Sequence, residues 1–99
     1  MNVDGSQRLS RSTAALSRVV GGEVLLARAG RRDVDVLSGP AATTWHLLEI
    51  PVTMPALLEM LADVYSVPVA GIQRDVAGLL TDLLERGWLE SDRSADVRP

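Results

Sequence analysis

The chain has 99 residues, 46% of them hydrophobic, which suits one small domain. It has no cysteine, so disulfides and thiol chemistry are excluded, and its net charge of −3, with arginine as the only strong base, argues against a bulk phosphate-binding surface. No apolar run reaches the ~18 residues of a bilayer span and no signal peptide is visible, so a cytoplasmic protein without a membrane partner is the default expectation.

Residues 1–14 are polar and aperiodic, and they are expected to form a flexible N-terminal tail. Leu16–Val20 and Glu23–Ala29 are short β-branched-rich runs split by Gly21-Gly22, which signals a hairpin. After a turn at Gly30-Arg31-Arg32, Asp33-Val34-Asp35-Val36-Leu37 alternates, with the valines on one face and the aspartates on the other. A simple meander leaves this third strand at an edge with unpaired N–H and C=O groups.

Ser38 is a possible cap for a helix carrying Ala41, Ala42, Trp45 and Leu48, ended by Pro51. Thr53 caps a second helix, whose apolar stripe is Leu57, Leu58, Leu61, Val64 and Tyr65. Pro68 suits the start of a third helix, on which Ile72, Val76, Leu79, Leu80 and Leu83 share a stripe. Arg86 and Gly87 are its stop signals. The opposite face carries Arg74, Asp75, Gly78, Asp82 and Glu85. Trp88 and Leu89 can fold back as a short extended piece, and residues 91–99 are expected to be a flexible C-terminal tail. The sum is α+β: a three-stranded antiparallel sheet followed by three helices, winged helix-turn-helix-like, over residues 15–90.

Catalytic material is sparse. His46 is the only histidine, and a surface or half-buried structural role suits it better than catalysis. No zinc-ligand set or phosphate-binding loop is seen, so neither metal nor cofactor is expected, and a non-catalytic protein is. A winged-helix DNA-binding regulator is the alternative reading. Against it, acids outnumber bases over residues 16–90, and the last helix exposes Asp75, Asp82 and Glu85 where recognition helices need donors.

The third strand's edge offers another use. An extended peptide can add to it as a strand, with side chains in the groove towards the last helix. The candidate peptide-binding residues are Asp33, Val34, Asp35, Val36 and Leu37 on the strand, and Asp75, Gly78, Leu79 and Asp82 on the helix. In that groove Val34, Val36, Leu79 and Gly78 would form the lining, and Asp75 and Asp82 would accept hydrogen bonds or cations. The same edge allows a homodimer by pairing with its own copy.

From Leu37 onwards the spacing resembles the PqqD-like proteins, also called RiPP recognition elements (RiPPs are ribosomally synthesised, post-translationally modified peptides). The residues that carry the likeness are Leu37, Trp45, Thr53, Leu57, Tyr65 and the series Ile72, Asp75, Val76, Leu79, Leu83 and Gly87, with Val24-Leu25-Leu26 as the middle strand. The resemblance spans residues 15–90 and implies three strands and three helices. It also implies a domain that binds the leader of a precursor peptide between third strand and third helix. The implied second partner is a peptide-modifying enzyme (a maturase, cyclase or protease) to which the leader is presented.

Overall fold

A computed structural model describes residues 7–92. Its elements are β1 (Arg8–Arg11), β2 (Ala15–Val20), β3 (Glu23–Arg28), β4 (Asp35–Leu37), α1 (Pro40–Leu47), β5 (Val52–Thr53), α2 (Met54–Tyr65), α3 (Val69–Glu85) and β6 (Leu89–Ser91). The expected three-stranded antiparallel sheet is present, in the order β2-β3-β4, and three helices follow it. α2 and α3, joined through Ser66–Pro68, meet at 119°, within the range of helix-turn-helix pairs. No single helix among the described residues is long and apolar enough to cross a membrane.

Local chemistry accounts for most element ends. Gly21 takes φ 63° at the first position of the Gly21-Gly22 turn, and glycine reaches that region without a Cβ clash. The Ala56 N–H donates to Thr53 Oγ1 at 3.4 Å, so Thr53 caps α2 as expected. α1 departs from expectation: its N-cap is Gly39, with φ 57°, rather than Ser38. α3 starts at Val69 with Pro68 as its N-cap, and Gly87 follows it at φ 82°.

The larger correction lies at the termini. β1, the middle strand of a second sheet ordered β5-β1-β6, stands where a tail is expected through residue 14. Leu9 in β1 is 0% exposed and joins the core, and Arg11 donates to the Trp45 carbonyl at 2.8 and 3.0 Å. β6 pairs antiparallel with β1, Leu9 opposite Ser91, and the Arg8 N–H donates to Asp92 Oδ1 at 2.8 Å. The folded unit therefore includes β1 and the whole of β6, beyond the expected limits of 15 and 90. The remainder of both expected tails, residues 1–6 and 93–99, lies outside the described residues.

One core unites the two sheets and the helices. It includes Leu9, Val24, Leu26, Leu37, Trp45, Leu48, Leu57, Leu61, Leu80, Leu83 and Trp88, all buried. Burial of such side chains contributes roughly 1.5–3 kcal/mol each before the entropy of ordering them is subtracted. The α3 stripe divides in two. Val76, Leu80 and Leu83 enter the core, while Ile72 and Leu79 stay half-buried at its margin.

Candidate peptide-docking edge and cleft

The register of the β2-β3-β4 sheet tells which backbone groups are free. Val20 and Glu23 face each other across the two-residue turn, so they form a hydrogen-bonded pair. Pairs alternate from there, so Glu23, Leu25 and Ala27 address β2, while Val24 and Leu26 address β4. Their partners Leu37 and Asp35 turn their backbone groups inward. Val36, opposite Leu25, presents its N–H and C=O to the outer edge. Among the described residues β4 pairs only with β3, so this edge is open.

The side-chain faces of β4 are the reverse of the expected lining. Leu37 is buried and Asp35 half-buried on the core side, whereas Val36 is 52% exposed on the open face of the sheet. Asp33 and Val34 are exposed and precede the strand, which begins at Asp35 rather than Asp33. Asp35 turns inward because partners wait there. Its Oδ2 accepts the Trp88 Nε1–H at 2.5 Å and lies 3.3 Å from Arg86 Nη1. Arg86 in turn lies 3.2 Å from Asp82. Asp35 and Asp82 hold the Arg86 guanidinium above its usual pKa, hydrogen bonding to Asp35 contributing most. Asp82, expected to await a peptide, already has a cation.

An apolar cleft of about 200 Å³ opens between the three helices. Pro40 and Thr44 of α1, Leu61 and Tyr65 of α2, Val67 of the turn, and Ile72, Asp75, Val76 and Leu79 of α3 line it. Thr44 Oγ1 donates to the Pro40 carbonyl at 2.8 Å, and Thr43 Oγ1 and Tyr65 OH share a hydrogen bond of 2.8 Å. The wall polar groups on α1 and α2 are thus already engaged. Asp75 is exposed and forms no ion pair among the described residues. Of the helix residues expected to bind, Asp75 and Leu79 meet in this cleft, while Gly78 and Asp82 lie outside its lining. Pro40 links the cleft to the edge, since it follows Leu37 through Ser38-Gly39.

Sequence reasoning misses Pro40, Thr44, Tyr65 and Val67 as cleft walls. Their signal is faint: Tyr65 and Val67 are apolar residues at a helix end, 41% and 37% exposed. Gly78 is exposed, and a Cβ built there meets nothing within 4 Å. Gly78→Ala is therefore expected to stabilise the free protein by about 0.5–1 kcal/mol through helix propensity, measured by thermal or urea unfolding. No cluster of three or more His, Cys, Asp or Glu among the described residues fits a metal.

Edge strand, helix-turn-helix pair and cleft define an α+β domain with an open docking edge. Residues 23–89 match the family model for coenzyme PQQ synthesis protein D (PqqD), and the chain belongs to that family. A solved structure, TbiB1 in complex with the TbiA(beta) leader peptide, has the same fold. It superposes with a TM-score of 0.71 at 24% identity, over 82% of this chain and 94% of that one. No curated protein matches the chain.

Proposed function

We propose that this protein is a non-catalytic recognition domain that binds the leader of a ribosomal precursor peptide by strand addition. It then presents the peptide to a modifying enzyme in peptide natural-product biosynthesis. The observation that carries the reading is the outward backbone of Val36 on an open edge, which the chain joins through Ser38-Gly39 to Pro40 in the wall of an apolar cleft. A strand laid on that edge gains backbone hydrogen bonds, and its alternate side chains supply selectivity. Family membership and the leader-bound TbiB1 structure support the same reading. Asp75, at the cleft wall, selects a donor or cationic side chain on the peptide. Neither the family match nor the likeness to TbiB1 favours the DNA-binding alternative.

The test is calorimetric titration with a synthetic leader of the precursor encoded beside the protein's gene. Saturable binding at micromolar concentration is expected. Absence of binding at roughly 100 µM, weaker than an ordinary specific peptide contact, counts decisively against the proposal.

A further inference from the structure

Asp35 belongs to the open strand but directs its carboxylate away from the edge. It accepts the Trp88 Nε1–H at 2.5 Å and faces Arg86 at 3.3 Å. Arg86 also pairs with Asp82 at 3.2 Å, one helical turn back along α3. Arg28 of β3 lies over the Trp88 ring, 3.9 Å from its centroid, and donates to the Arg86 carbonyl. Gly87 makes room for that approach, since a Cβ there would come within 2.7 Å of Arg28 Nη2. One network thus joins β3, β4, the end of α3 and the turn that follows it.

Exposed ion pairs alone contribute little, and Arg86 is half exposed. Trp88 changes the balance. It is 2% exposed, and a buried indole N–H needs an acceptor, which Asp35 supplies. β4 also needs help, for it has three residues and rests on a single neighbour. An isolated pairing of that length is weak.

The geometry points to Asp35 as a positioning residue, which fixes β4 against α3 so that the Val36 edge is preset for an incoming extended peptide. This rests on the peptide-docking reading above. Presetting acts by removing an ordering cost that binding would otherwise carry. Asp35 itself touches no peptide; it acts through the strand it holds.

Hydrogen exchange of the free protein tests the hold on the strand, and titration with the synthetic leader tests its use. In Asp35→Ala the Leu37 amide should exchange about tenfold faster, while Leu57 and Leu61 in α2 keep their protection, as local opening requires. Leader affinity should fall by about tenfold. Asp35→Asn keeps an acceptor for the indole, so it should recover most of both, and it serves if the alanine variant does not fold. Unchanged Leu37 exchange overturns the inference. So does acceleration shared equally by α2, which marks a merely structural role. So, too, does undiminished leader affinity in Asp35→Ala. If the wild type binds no leader, the docking reading fails instead, and the exchange data alone decide whether Asp35 holds the strand.

Discussion

Val36→Pro should abolish most leader binding while leaving the free fold in place. The Val36 N–H points out from the edge, so proline removes a donor the protein itself does not use. Edge positions with a solvent-facing N–H are where sheets accept proline. Proline also pushes the preceding residue towards extended backbone, and Asp35 is already in a strand. The incoming peptide, however, loses a partner for one buried carbonyl, which costs about 1–3 kcal/mol, or roughly 5- to 150-fold in affinity. Circular dichroism and titration of the same sample check both halves. A variant that folds and binds as tightly as wild type rules out strand addition at this edge.

Leu9→Ala should produce the largest loss of stability. The side chain is 0% exposed, in a strand flanked on both sides by β5 and β6. Large-to-small changes at such sites cost about 2–5 kcal/mol, a large share of a small domain's stability. Urea unfolding measures it. An effect below about 0.5 kcal/mol, typical of surface positions, would place this segment outside the cooperative unit. The result bears directly on the domain boundary, because the composition of these residues suggests a dispensable tail.

Why that strand is hidden in the sequence is plain from its residues. Arg8-Leu9-Ser10-Arg11 contains one apolar side chain, so no period of two can be read. Its partners are too short to announce themselves: β5 is Val52–Thr53, and β6 begins at Leu89. The helices are legible because their stripes are long, and Thr53, Gly21-Gly22 and Gly87 act through local chemistry that needs no distant partner. Alternation in β4 reveals two faces but not which one packs. Hydropathy assigns the valines to the groove facing the last helix. The structure buries the aspartate side instead, because Trp88 and Arg86, far along the chain, satisfy Asp35. Of the candidate site, the open edge and Asp75 with Leu79 are readable in advance. The cleft walls on α1 and α2 are not, since they meet only after the helices pack.

The pairing of β1 with β6 has a practical consequence. Arg8 and Asp92 are hydrogen-bonded neighbours, so the two ends of the described residues lie side by side. Neither residue lines the helical cleft. A circular permutant that joins those two positions by a short linker, with new ends cut at the Gly21-Gly22 turn, should keep both sheets.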